Sequence, residues 1–237
     1  MRSMELARRN FKEMYRDPLH LGLAIGLPVG LLLVFQAIPE WLTPTFLVPG
    51  IILMGFAMLT DSSGMILARD RERALLSRLL TAPLRANDFI SAYSLPYILV
   101  AIVQIIVVFA VGGLLGLEIS GNVSRVFLIL FVMSICYIGL GMVLGSLFTY
   151  KQVPIAWIAV NLLTLFGGAW MDLEEIGGGI QSTMNALPFA HALDAARDVI
   201  VHGVGFSDIA VDFYWVLGYT LVFFVLGIFL FRRRMVE

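Results

Sequence analysis

Residues Ser124–Phe148 read SRVFLILFVMSICYIGLGMVLGSLF. Arg125 stands at the start, and the rest of the stretch carries no charge. About 20 apolar residues in a row are enough for a helix to cross the hydrocarbon core of a bilayer. The run is continuously apolar and does not alternate, which excludes the in-out pattern of a membrane β-barrel. A lone strand would leave its backbone groups unpaired in lipid, so the stretch must be a helix.

Five more stretches follow the same rule. Leu19–Ile38 has no Asp, Glu, Lys or Arg, and Thr45–Ala68 has only Asp61. Asp88–Gly116 contains Pro96, a candidate kink. Val153–Met171 places Pro154 in its first turn, where a missing N–H costs least. Phe213–Phe231 is the last. The reading is an all-α membrane protein with six transmembrane helices in one domain over residues 1–237. Composition agrees. Of the 237 residues, 59% are hydrophobic and 14% charged, where a soluble domain has about 25% charged. The mean hydropathy is +0.91. The single cysteine, Cys136, allows no intrachain disulfide. The polar residues before the first span, and the length of that span, predict a retained anchor rather than a cleaved signal.

Charge sets the orientation. Fourteen of the 16 Lys and Arg residues fall before the first span, between the second and third, between the fourth and fifth, or after the sixth. Only Arg125 and Arg197 fall on the other side. The positive-inside rule then predicts that both termini are cytoplasmic.

Three segments lie outside the spans. Residues 1–18 read as an interfacial helix, with Met4, Ala7, Phe11, Met14 and Tyr15 on one face and Arg8, Arg9, Lys12, Glu13 and Arg16 around the rest. Residues 69–87 form the largest cytoplasmic loop. There Leu75, Leu76, Leu79 and Leu80 make an apolar stripe among Asp70, Arg71, Glu72, Arg73 and Arg78. A helix this short is marginal alone, so it must dock on its own chain or on a partner. Residues 172–212 form the outer segment, with a turn at Gly177–Gly179 and a short helix whose apolar face is Phe189, Ala192, Leu193, Ala196, Val199 and Ile200. His191, Asp194, Asp198 and His202 share the opposite face, but eleven helical residues span about 16 Å, too far for one ion. That face reads as solvated.

Within the spans, Asp61 and Ser62, with the weaker Asn161 and Thr164, are candidates to line a wet pathway, because a mid-span carboxylate is costly in lipid. Gly22, Gly26 and Gly30, Gly112 with Gly116, and Gly141 with Gly145 repeat every four residues, which favours tight bundling and permits a dimer. No Gly is followed by Lys, so the phosphate-cradling loop of nucleotide hydrolases is missing. Neither a metalloprotease motif nor an intramembrane serine-histidine pair is present, so no catalytic, metal or cofactor site is expected. One charge in the interior of the spans, Asp61, and no inverted repeat argue against a secondary transporter or ion channel, the alternative reading.

The chain resembles the membrane permease of type 2 ABC exporters. The likeness rests on the N-terminal amphipathic helix, on Arg69-Asp70-Arg71-Glu72-Arg73 directly after the second span, on Leu79-Leu80-Thr81-Ala82-Pro83-Leu84-Arg85, and on Leu187-Pro188-Phe189-Ala190-His191-Ala192 followed by Arg197. Ala74 with Leu75 departs from the family's frequent Gly-Thr. The resemblance implies a homodimer, or a pair with a close paralogue, in the cell membrane. It implies a separate cytoplasmic ABC ATPase as partner and no nucleic acid. Arg71, Glu72, Arg73, Leu75, Leu76, Leu79 and Leu80 would form the coupling helix. An apolar cavity lined by Phe, Trp and Met would suit drugs or lipids, while related permeases also carry other cargo.

Overall fold

The computed structural model describes residues 2–38, 43–72 and 86–236, and every regular element among them is helical. Helix α1 is Arg2–Tyr15, α2 Pro18–Gln36, α3 Pro44–Glu72, α4 Ala86–Leu114 and α5 Val123–Leu147. Helix α6, Val153–Thr164, runs into a π turn, Leu165–Ala169. Three short helices follow: α7 Leu173–Ile176, α8 Gly178–Met184 and α9 Pro188–Arg197, the last continued by a π turn over Asp198–His202. Helix α10 is Ala210–Val236.

Local chemistry explains the starts. Pro18 opens α2, and the His20 N–H donates to the Asp17 carboxylate at 3.3 Å. Ser124 N–H donates to Asn122 Oδ1 at 2.8 Å to start α5. Pro154 and Pro188 occupy the first turns of α6 and α9, where their missing N–H leaves no bond unmade.

Among the described residues, five helices are long and apolar enough to cross a membrane: α2, α3, α4, α5 and α10. The expected fifth span is shorter than read from sequence. Its apolar helix ends at Ala169, because Gly168 turns to φ +100°, a conformation that ends a helix. Two other expectations also change. Helix α3 continues past Ala68 to Glu72, so the first four residues of the 69–87 segment are helical rather than loop. The outer segment holds three short helices instead of one, since Gly177 and Gly178, both at φ above +60°, break α7 from α8. The remainder of the expected coupling helix, residues 73–80, and the loop residues 81–85 lie outside the described residues.

Helix α3 is the axis of the bundle. Its apolar stretch is 78% buried, against 22% for α2 and 17% for α10, which are therefore peripheral. It packs most extensively on α5, and α10 packs on the other side of α5. Glycines allow the α3–α5 approach. A Cβ on Gly145 would sit 2.5 Å from Gly64 O, and one on Gly141 would sit 2.1 Å from Ser63 Oγ. By contrast, a Cβ on Gly22, Gly26 or Gly30 of α2 would meet nothing within 4 Å.

Candidate functional site

The last turn of α3 is where the charged cluster becomes structure. Consecutive helical residues point about 100° apart, so Arg69, Asp70, Arg71 and Glu72 reach different neighbours. Arg69 donates to Glu13 of α1. Asp70, 2% exposed, accepts from Arg9 of α1 at 2.7 Å and from Tyr93 OH of α4 at 2.6 Å. Arg71 donates to Ser146 O, and to Phe148 O at 2.7 Å, at the carboxyl end of α5. A cation there satisfies terminal carbonyls and complements the helix dipole. Glu72 accepts from Tyr150 N–H at 2.7 Å. Four neighbouring side chains thus fasten the end of α3 to α1, α4 and the α5–α6 turn.

Helix α1 is held by more than charge. Asn10, fully buried, donates to Ala92 O at 3.2 Å, and Leu6, Ala7 and Met14 are buried beside it. The apolar face read from sequence therefore divides. Ala7 and Met14 face the bundle, while Met4, Phe11 and Tyr15 form an exposed apolar arc next to exposed Arg8, Lys12 and Arg16.

The predicted pathway residues do not share one site. Asp61 is 9% exposed, with Oδ1 buried and unpartnered and Oδ2 4.0 Å from His20 Nε2. Ser62 donates to Met58 O and borders a cavity of about 320 Å³ between α1, α2, α3 and α4. Asn161 donates to Trp157 O one turn back in α6. Thr164 is fully buried and shares a 2.6 Å hydrogen bond with Tyr137 OH of α5, which makes it part of the α5–α6 packing. Of the predicted coupling residues, Arg71 and Glu72 engage their own chain as described, and Arg73, Leu75, Leu76, Leu79 and Leu80 lie outside the described residues. Sequence reading missed Asp17 with His20, Tyr93 and Tyr97. The Asp-Pro pair before an apolar run was the available signal, a helix start that fixes a side chain three residues on.

At the opposite end, the apolar face of α9 is buried as expected. Among the described residues, no three His, Cys, Asp or Glu side chains gather as a metal site. Arg197 donates to Phe46 O and Ala169 O and lies 3.7 Å above the Phe46 ring, tying α9 to α3 and α6. His191 Nδ1 is 2.7 Å from Asp212 Oδ1 and Nε2 is 2.9 Å from Asn185 O. Both partners are acceptors, so both nitrogens must donate, which requires the imidazolium. The ring also stacks on Trp215 at 5.0 Å. The Asp212 hydrogen bond, working against partial burial, raises the His191 pKa above its ordinary 6.5. A raised folded-state pKa gives stability that is fully present below pH 6.5 and is lost as pH climbs through the folded value. The expected result is that His191→Gln lowers the unfolding temperature at pH 6 and that the difference from wild type shrinks on alkaline titration. A difference that stayed constant or grew with pH would defeat this assignment.

An all-helical bundle with five long apolar helices, bound at one end to an amphipathic helix with an exposed apolar arc, is a multi-pass membrane protein. The chain belongs to the ABC-2 type transporter family, which matches residues 3–201, and this is a family of permeases rather than catalysts. It is 23% identical over 199 residues to the inner membrane transport permease YhhJ of Escherichia coli K12, covering 82% of this chain and 52% of the relative. It is 23% identical over 188 residues to the probable multidrug ABC transporter permease YbhR of the same organism, covering 74% and 49%. It is 22% identical over 194 residues to the daunorubicin resistance permease DrrB1 of Streptomyces coeruleorubidus, covering 80% and 69%. The chain thus spans about half the length of the first two relatives.

Proposed function

We propose that this chain is the membrane subunit of an ABC exporter, working as a pair and driven by a separate cytoplasmic ATPase. The observation that carries the reading is the clamp at the end of α3. The central helix is fastened to α1, α4 and the α5–α6 turn one residue before segment 73–85 begins. A load on that segment reaches the whole bundle, because packed helices move as bodies. In this reading Arg71 and Glu72 set the base of the coupling segment, and Leu75, Leu76, Leu79 and Leu80 with Arg73 meet the ATPase.

The remaining assignments follow from the same assembly. The short apolar helix Val153–Ala169 is the fifth of six spans, at 17 residues about 25 Å long. The open Gly22, Gly26 and Gly30 stripe of α2 suits close packing with a second copy. Both termini are cytoplasmic and the membrane is the plasma membrane. The names of YbhR and DrrB1 favour drug-like cargo, with lipids the other candidate class, and Asp61 with Ser62 contributes to its route.

Topology tests the frame. A cysteine at Ser182 is expected to label from outside intact cells, and one at Asn87 only after permeabilisation. Buried Cys136 should stay silent. Labelling of the Asn87 site in intact cells would reverse the orientation and remove the ATPase from that face.

A further inference from the structure

The cavity of about 320 Å³ between α1, α2, α3 and α4 is a groove whose two ends differ in chemistry. Glu13, Arg16, Asp17 and Arg69 stand at the rim, where α1 meets the bundle, and Ala24, Leu59 and Val100 form the floor. Arg69 and Leu59 are ten residues apart in α3, about 15 Å along the helix. Polar groups on the walls are already spent. Ser62 donates to Met58 O at 2.9 Å, and Tyr97 donates its hydroxyl to Ser62 O at 3.0 Å. A long apolar groove under a charged rim suits an acyl chain below a polar head.

The rim decides the charge of that head. Its carboxylates are taken. Glu13 accepts from Arg9 and Arg69. Asp17 is 2.8 Å from His20, which lies between Asp17 and Asp61 and adds no negative charge. The guanidinium groups keep capacity to spare. Arg69 gives one N–H to Glu13, but its Nε is buried without an acceptor. Native structures seldom leave such a donor unmet. Arg16 is exposed and joins no ion pair among the described residues. Both offer N–H groups in the planar fork that phosphate oxygens match. Depth agrees as well. Helix α1 turns Met4, Phe11 and Tyr15 outward beside exposed Arg8 and Lys12. A helix of that pattern lies at the level of lipid headgroups, which sets the rim at phosphate depth and the floor among acyl chains.

We propose that this groove holds an anionic phospholipid, with its phosphate on Arg16 and Arg69 and one acyl chain running down to Leu59. The site lies within one chain, and neither export nor a partner is needed to fill it.

The test titrates the full chain, in a neutral detergent, with phosphatidylglycerol or phosphatidylcholine of identical acyl chains. Native mass spectrometry separates the first bound lipid from later ones. The first phosphatidylglycerol should bind at least about 10-fold more tightly than the first phosphatidylcholine, the scale of one charge-assisted hydrogen bond. Arg16→Gln should remove about that factor. Arg69→Lys keeps the charge but lacks Nε, and it should weaken the same lipid. Arg8→Gln and Lys12→Gln, on the exposed face of α1, should leave the first site unchanged. Glycerol phosphate, a head without chains, should not displace the lipid. Equal affinity of wild type for the two lipids overturns the proposal without recourse to any variant. So does unchanged first-site affinity in a folded Arg16→Gln or Arg69→Lys chain. A loss in Arg8→Gln or Lys12→Gln equal to that in Arg16→Gln would reduce the effect to general surface charge and overturn it too, as would displacement by glycerol phosphate at the lipid's own concentration.

Discussion

Arg9→Ala is expected to destabilise the chain by about 3 kcal/mol, and to do so more than removal of its partner Asp70. The asymmetry comes from where each charge lies. The Asp70 side chain is 2% exposed and that of Arg9 is 35% exposed. Without Arg9, Asp70 keeps only the Tyr93 hydroxyl as donor, and a buried carboxylate is left uncompensated. Without Asp70, Arg9 still has Glu13 at 2.9 Å and can turn to water. Asp70→Ala should therefore cost less, on the order of 1–2 kcal/mol, most of it the lost Tyr93 bond and the space left behind. The paired change Arg9→Met with Asp70→Leu should recover much of the loss, because no buried charge remains. Glu72→Ala removes one exposed hydrogen bond and should stay within about 1 kcal/mol. Thermal unfolding in detergent, followed by tryptophan fluorescence, ranks the four variants. A loss in Asp70→Ala equal to or above that in Arg9→Ala would refute the burial argument.

That clamp also marks the boundary of what sequence made legible. Long apolar runs showed five of the helices because lipid demands continuity, a local property. Helix ends were less visible. The hydropathy reading stopped α3 at Ala68, where charge begins, yet Arg and Glu are good helix formers and continue it to Glu72. Periodicity put Ala7, Met14, Met4, Phe11 and Tyr15 on one broad apolar arc of α1. It could not tell that two of them meet α4 and its neighbours while three face outward, because a wheel of one helix holds no information on what surrounds it. Thr164 illustrates the same limit. A hydroxyl in a span reads as a pathway group until Tyr137, 27 residues away, is found to bind it. Asp61 was legible as costly, but its relation to His20 needed the third dimension.

Leu76→Asp is expected to abolish transport while the chain still inserts and folds. Leu76 lies in the segment after Glu72, outside the described residues, so the argument is one of pattern and placement. Leu75, Leu76, Leu79 and Leu80 fall at one-, three- and four-residue steps, which puts them on one side of a helix. A helix of this length is not stable in water by itself, so the stripe needs a partner surface. In the proposed assembly that surface is a cleft on the ATPase. Burying one leucine there contributes about 1.5–3 kcal/mol. An aspartate in its place loses that and adds an unpaired charge in an apolar contact, enough to weaken docking by well over 100-fold. Rim charges matter less than buried anchors in such contacts, and Glu72 is moreover occupied by Tyr150 N–H. Glu72→Ala should accordingly leave docking near normal and loosen only the base of the segment, with transport reduced rather than lost. In the proposed assembly the clamp at the end of α3 passes movement of the docked segment on to α1 and α4. The two measurements are the amount of ATPase that co-purifies with each variant and substrate efflux from cells. Leu76→Asp chain that kept its full complement of ATPase and exported normally would remove the coupling role from this segment, and α1, whose exposed arc of Met4, Phe11 and Tyr15 lies at the same end of the bundle, would take its place.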